Sequence, residues 1–539
     1  MLLEAIYHKS DSIYCFAVGE RSVTLRLRAA AGEKMTAFVL YNDKYKFRLT
    51  QRRAPLQKIG SDGLFDWYSV TLELQDPRLV YIFELESEGQ RLYYSEEGFS
   101  ADYDYSNCHF TTFQLPYVNQ ADRHHPVSWM ENAVFYQIFV DRFNIGNPDK
   151  DFSYVNLKWG ELPTPSSFAG GDLAGITQKL PYIRSLGVTA LYLTPIFRST
   201  SNHKYDTIDY YEVDPQFGTK EDLIELADTA HSLGMKLVLD AVFNHCSLDF
   251  AQFRDVREKG RLSAYYDWFF IDGERPTTDP LNYESFAEVI YMPKLNTANP
   301  EVESYLIGAA QFWMRLCKID GWRLDVSDEV SHDFWRKFRK AVKRENPDCV
   351  IIGENWHDSE PFLRGDQFDG VMNYGFTKAS MNYFCAKTTD ERGFSNELNA
   401  LLMRCTDVAN SQMLNLLDSH DTDRFLTLAG GKLSAARAAI ALEFFLPGAA
   451  CVYYGGEIDL PGGYDPDSRR TFDWSAPLGE TAELIKRLAE LKRGFAQSRC
   501  RIRHEDNRLI AERGSARLTL WRQDNEYIYE IFEGGSEAR

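Results

Sequence analysis

Over its first 120 residues the chain alternates apolar and polar side chains with a period of two, in short runs such as "SVTLRLRA", "MTAFVLY", "WYSVTLEL" and "LVYIFELE". That period puts every second side chain on one face of an extended strand. Clusters of Gly, Asp and Pro separate the runs, which predicts an N-terminal β-sandwich over 1–120. The polar stretch "NQADRHHPVS" (119–128) reads as a linker, with His124 and His125 in solvent. From about residue 130 the rhythm changes. Apolar runs at 133–140, 189–196, 236–243, 321–326, 350–355, 370–374, 413–419 and 450–455 alternate with helical patterns such as "KEDLIELADTAHSLG". Eight strands alternating with helices predict an α/β fold, a (β/α)8 TIM barrel over 130–494. The gap at about 246–300, after the third strand, is too long for an ordinary connection and is expected to be a functional insertion. After 495 the period returns to two, which predicts a short C-terminal antiparallel β domain over 495–539.

Composition narrows the function. A chain of 539 residues is too long for one core. A formal net charge of −19 disfavours nucleic-acid and anionic-membrane partners. Aromatic residues make up 14%, a content suited to stacking on flat ligands such as sugar rings. The nine cysteines are odd in number and form no C-x-x-C pair, so neither a disulfide framework nor a zinc site is expected. Reduced thiols fit a cytoplasmic protein. The start "MLLEAIYHKSDS" lacks a cationic segment, so no signal peptide is expected. The longest apolar candidate, 438–454, carries Glu443 and Pro447 and is too short to cross a bilayer.

In a barrel, polar residues at the C-terminal ends of strands read as catalytic. The third strand ends in "DAVFNH", with Asp240 and His245. The fourth ends in "GWRLDVSDE", with Arg323 and Asp325, the fifth in "GENW", with Glu354 and Trp356, and the seventh in "LLDSHD", with His420 and Asp421. Several carboxylates and histidines, with no thiol motif and no glycine-rich phosphate loop, point to glycoside hydrolysis. A retaining mechanism there needs an ionised nucleophile and a second acid–base carboxyl. Arg323, two residues ahead of Asp325 on the same strand face, favours the aspartate as an anion. Glu354 has no cation beside it in sequence, and an apolar setting supplied by Trp356 is expected to raise its pKa.

These four motifs, in this order and on these strands, resemble those of the α-amylase family, glycoside hydrolase family 13. "MPKLN" (292–296), "SNHKYDT" (201–207) and the N-terminal sandwich with "YYSEEGF" narrow the resemblance to its cyclomaltodextrinase, maltogenic amylase and neopullulanase group. The resemblance implies a retaining hydrolase of α-1,4-glucosidic bonds in cyclodextrins, maltooligosaccharides or pullulan. It implies Asp325 as nucleophile, Glu354 as acid–base and Asp421 as the third acid. Arg323, His245 and His420 would hold the ring being cleaved, Tyr205 would be the platform beneath it, and His203 would stand at the same rim. Asp240 would support Arg323. Asp465 and Arg469 would bind the next sugar, and Trp356 would line the leaving-group side.

The resemblance implies no cofactor for the chemistry. Members of the group often carry calcium in the loop after the first strand. Here Ile145 and Lys150 stand at two expected ligand positions, leaving Asn147, Asp151, Gly170 and Asp172, so the expectation is no bound metal and a lysine ammonium in its place. A homodimer through the N-terminal domain is also implied. Two alternatives stay open: an enzyme of the same family that mainly transfers glycosyl units, and a non-catalytic carbohydrate-binding or transporter-accessory protein. The presence of Asp325, Glu354 and Asp421 weighs against the last.

Overall fold

The computed structural model describes residues 1–495 and 498–534. Residues up to 115 form two antiparallel sheets. One pairs Cys15–Ala17, Ser22–Ala30, Phe65–Glu73 and Gln57–Ser61; the other is built around Thr36–Asn42, Leu79–Ser87 and Gln90–Ser95. Val23, Leu25, Leu27 and Ala29 of one sheet and Leu79, Tyr81, Phe83 and Leu85 of the other form their shared core. The period of two in the sequence is that of these inward faces. His8 lies buried at this core, bonded through Nδ1 to the Arg26 carbonyl at 2.7 Å and through Nε2 to the Tyr81 hydroxyl at 2.8 Å.

Eight parallel strands follow: β1 (Val134–Ile138), β2 (Ala190–Leu193), β3 (Lys236–Ala241), β4 (Gly321–Leu324), β5 (Val350–Gly353), β6 (Gly370–Val371), β7 (Leu414–Leu416) and β8 (Ala449–Tyr453). Each pairs with its neighbour in sequence except β6 with β7, and β1 pairs with β8. The barrel closes through a single parallel bridge, Met372 to Leu414. Phe135, Ala190, Val238, Val350, Leu414 and Ala449 fill its interior, while Val134, Leu191, Leu237 and Ile351 pack in the layer shared with the helices. Two residues further along each strand, the inward parity reaches Gln137, Tyr192, Asp240, Arg323 and Ile352. The interior is therefore apolar at one end and polar at the C-terminal rim. Parallel pairing sets Asp240 of β3 opposite Arg323 of β4, and Leu324 of β4 opposite Gly353 of β5. Asp325 and Glu354 thus leave adjacent strands at the same height.

The chain between β3 and the helix Pro300–Cys317 carries the helix Ala251–Lys259 and folds back on the rim through a bridge from His245 to Lys294. The last sheet is an antiparallel meander of Arg501–Glu505, Arg508–Arg513, Ala516–Gln523 and Glu526–Glu533. The Tyr527 hydroxyl fastens it to the barrel layer by donating to the carbonyls of Tyr383 at 2.7 Å and Phe384 at 3.0 Å. Among the described residues no helix is long and apolar enough to cross a membrane.

The linker departs from expectation. His125 is exposed, but His124 is buried, with neither ring nitrogen hydrogen-bonded. The segment is packed down: a Cβ at Gly365 would come within 2.8 Å of the His124 Cα, and Val127 donates its N–H to Gln412 Oε1 at 2.8 Å. Polar composition signalled solvent, whereas tertiary packing buries the ring. Burial lowers the His124 pKa to about 4. The unfolded chain takes up the proton first, so this contribution to stability is complete above about pH 6.5 and is lost as pH falls towards 4. By pH 5 about 2 kcal/mol of it has been lost. Calorimetry should show a smaller loss of Tm between pH 7 and pH 5 in His124→Leu than in wild type, by about 2 °C. Equal losses would mean that the ring ionises freely in the folded protein.

Candidate active site

The rim is organised around one guanidinium. Arg323 is fully buried. Its Nη1 donates to Asp325 Oδ1 at 2.8 Å, to Asp240 Oδ2 at 3.0 Å and to the Tyr205 hydroxyl at 3.3 Å. Its Nη2 stands 2.9 Å from Glu354 Oε2 and 3.9 Å from Asp421 Oδ2. Four carboxylates from four strand ends thus surround one cation. Glu354 does have a cation beside it, supplied by β4 rather than by its own strand.

Burial is the largest influence on all four acids and raises each above its usual range; Arg323 opposes it. Asp240 is brought to about 6. Asp325 is also pushed up by Glu354, Asp240 and Asp421, and Glu354 by Asp421. The expected effect of Trp356 on Glu354 has the opposite sign. The Trp356 ring is 54% exposed, and its Nε1 donates to Glu354 Oε1 at 3.3 Å, a bond that favours the anion. Burial by the rim, not the tryptophan, raises this group. Trp356 stacks on Tyr374 with centroids 3.7 Å apart.

Beyond Leu324 the backbone leaves the strand sooner than the apolar run 321–326 predicted. Asp325 donates its N–H to the Ala241 carbonyl at 3.1 Å. Val326 then turns left-handed (φ 46°, ψ 46°) and donates its N–H to Glu354 Oε2 at 3.0 Å. Asp325 Oδ2 is buried with no hydrogen-bond partner, as is His245 Nε2. Two polar atoms kept from water and unpaired are what a site shaped for a polar ligand leaves behind.

The other anticipated residues gather at the same rim. Tyr205 is half-buried, lies parallel to His420 at 5.4 Å between centroids and donates to Asp240 Oδ2 at 3.0 Å. Gln137 Nε2 donates to His420 Nδ1 at 2.8 Å, so the proton of this histidine sits on Nε2, 3.1 Å from Asp421 Oδ2. Burial and the nearby arginines hold His420 well below the usual histidine range, hence neutral. Burial lowers His203 to about 4 and His245 to about 3. Arg469 donates Nε to the His420 carbonyl at 2.8 Å and pairs through Nη1 with the exposed Asp465 at 2.9 Å. Sequence reading missed Gln137, Tyr192, whose hydroxyl donates to Asp240 at 2.7 Å, and Phe286, stacked on His245 at 4.9 Å. Strand parity points to the first two; nothing local points to Phe286, which the insertion delivers.

In the loop after β1, the Lys150 ammonium bonds the carbonyls of Gly170 and Gln216 and stands 3.0 Å from Asp172 Oδ2. Asp172 also accepts from the N–H groups of Gly146 at 2.8 Å and Gly175 at 2.7 Å. Asp151 turns instead to the Ser153 N–H at 2.8 Å. Of the oxygens that would ligate calcium, those of Gly170 and Asp172 are engaged by a side-chain cation and those of Asn147 and Asp151 by donors of their own turns, so the residues present do not fit the metal.

A closed parallel barrel whose rim gathers acids from successive strand ends is the equipment of a glycoside hydrolase. Comparison with known proteins agrees. Residues 137–483 match the alpha amylase catalytic domain, and residues 1–119 match the alpha amylase N-terminal ig-like domain. The chain belongs to the α-amylase family. It is 45% identical to a cyclomaltodextrinase of Thermoanaerobacter pseudethanolicus over 88% of this chain and 83% of that protein. It is 44% identical to neopullulanase 2 of Thermoactinomyces vulgaris over 92% of this chain and 87% of that protein. A solved cyclomaltodextrinase structure superposes with a TM-score of 0.90 at 38% identity, covering 98% of this chain and 91% of that one.

Removing the Lys150 ammonium leaves the buried Asp172 carboxylate with its backbone N–H partners but without a counter-charge. Lys150→Met should lose about 3 kcal/mol of stability, read as a lower Tm. A chelator should leave the wild-type Tm unchanged. A calcium-dependent rise in wild-type Tm would show that the loop binds the ion in spite of Lys150.

Proposed function

We propose that this enzyme hydrolyses α-1,4-glucosidic bonds of cyclodextrins, maltooligosaccharides or pullulan by double displacement, with Asp325 as nucleophile and Glu354 as acid–base. The observation that carries the reading is the state of Asp325: Oδ1 is held by Arg323, while Oδ2 is buried and unpaired beside it. A carboxylate fixed by one oxygen and free at the other is prepared for attack. Glu354 holds the proton at rest. That removes one of the charges that push Asp325 up, so the pair settles as acid and anion. Glu354 protonates the departing oxygen and later takes a proton from water. Asp421 opposes charge developing on the sugar. Tyr205 lies beneath the reacting ring, with His203, His245, His420 and Arg323 on its hydroxyls. Asp465 and Arg469 take the next sugar, and the exposed face of Trp356 takes the departing one. No cofactor enters the chemistry.

The compartment proposed is the cytoplasm, supported by nine free thiols. The assembly proposed is a homodimer in which each sandwich walls the partner's rim and favours small rings and short chains over bulky starch.

Two measurements test this reading. Early proton NMR spectra of wild-type digests should show α-anomers, and Asp325→Asn should lower kcat by about four orders of magnitude with little change in KM. A dominant β-anomer, or an active Asp325→Asn enzyme, would overturn the assignment. For the assembly, light scattering should give about twice the chain mass of 62.1 kDa. Deletion of residues 1–120 should yield monomers with a lower cyclodextrin-to-starch activity ratio; a wild-type monomer that prefers starch would refute the dimer.

A further inference from the structure

Val326 is a β-branched residue in the left-handed region, with φ 46° and ψ 46°. Such a side chain is strained there, and a strained backbone persists only where its surroundings hold it. The surroundings are visible on the next residue. Ser327 Oγ donates to the Glu354 carbonyl at 2.9 Å and to Asn355 Oδ1 at 2.8 Å, while Trp335 Nε1 donates to the Ser327 carbonyl at 2.8 Å. These bonds tie the turn after β4 to the end of β5. What the strained turn achieves is one contact: the Val326 N–H meets Glu354 Oε2 at 3.0 Å, on the same oxygen that Arg323 Nη2 faces at 2.9 Å. Glu354 Oε1 has only the long Trp356 bond of 3.3 Å.

We infer that Val326 is a positioning residue whose backbone N–H, held by the left-handed turn, confines the acidic proton of Glu354 to Oε1. The inference rests on the reading of Glu354 as acid–base and adds how the proton is placed. A carboxyl oxygen that accepts an N–H and faces a guanidinium disfavours protonation, so the proton goes to its twin. When the glycosidic bond breaks, the proton passes from Oε1 to the departing oxygen and the carboxylate charge spreads onto Oε2, where the Val326 N–H is already bonded and the Arg323 guanidinium charge stands 2.9 Å away. Arg323 serves four acids and cannot be dedicated to this task. The Val326 amide touches one.

The test replaces the Val326 N–H by an ester oxygen, by incorporating α-hydroxyvaline at position 326. Losing a donor to the anion raises the Glu354 pKa, so the alkaline limb of kcat/KM should move up by about one pH unit. Maltotriose hydrolysis should slow about tenfold, while the reaction of α-maltosyl fluoride, whose leaving group needs no proton, should keep its rate. Val326→Gly keeps the N–H and adopts the turn without strain, and its pH profile should match wild type. An unmoved alkaline limb in the ester variant, or equal slowing of both substrates, would overturn the inference. A measurement on unaltered protein covers the case of an ester variant that fails to fold. In protein labelled with 15N-valine, the Val326 amide proton should titrate with the alkaline limb and stop titrating in Glu354→Gln; a shift insensitive to Glu354 overturns the inference. Should Glu354→Gln itself handle maltotriose and maltosyl fluoride alike, the acid–base assignment falls, and the inference with it.

Discussion

One buried cation sets the terms for the whole rim. Arg323 has no water to hydrate it, so its charge must be met by protein, and Asp240, Asp325, Glu354 and Asp421 do so. The reverse holds as well: three buried acids and the half-buried Asp421 would not remain together without it. The barrel's contribution is register. Pairing of β3, β4 and β5 brings three of the acids to one height around the guanidinium, and the apolar layer beneath excludes the solvent that would screen them. Loss of Arg323 would leave a cluster of like charges, so its substitution is expected to damage folding as well as turnover.

Much of this was legible in the chain. The two periodicities marked sandwich and barrel, because sheets buried on one face and strands buried on both leave different patterns. The acids stood at strand ends, where a barrel puts chemistry, and Arg323 announced itself by sitting two residues from Asp325. Gln137 and Tyr192 were legible by the same parity but carry no chemical signature; a glutamine or tyrosine in an apolar strand looks like filling until its partner is known. Other features were not legible. His124 lies in a polar stretch, and the chain that packs on it, at Gly365, comes from far along the sequence. Phe286 meets His245 because the insertion folds back, which no local pattern encodes. The left-handed turn at Val326 runs against the preference of its own residue type.

The partner of Glu354 illustrates why sequence neighbours mislead about electrostatics. Trp356 is two residues away and suggested an apolar setting. In space the nearest charge is Arg323, from another strand, and Trp356 contributes a hydrogen bond instead. Parallel sheets join distant segments side by side, so the local dielectric and the charges acting on a catalytic group come mainly from elsewhere in the chain.

The Lys150 ammonium behaves differently from a bound ion in one further respect. A free cation obeys mass action: its occupancy falls when the surroundings are depleted of it. An ammonium on the end of a side chain is present at fixed stoichiometry and at an effective concentration set by its tether. The cation that meets Asp172 at the start of the helix Leu173–Ser185 is therefore supplied by the chain itself. What the arrangement gives up is adjustability: the Lys150 ammonium cannot be withdrawn or replenished as a dissolved ion can.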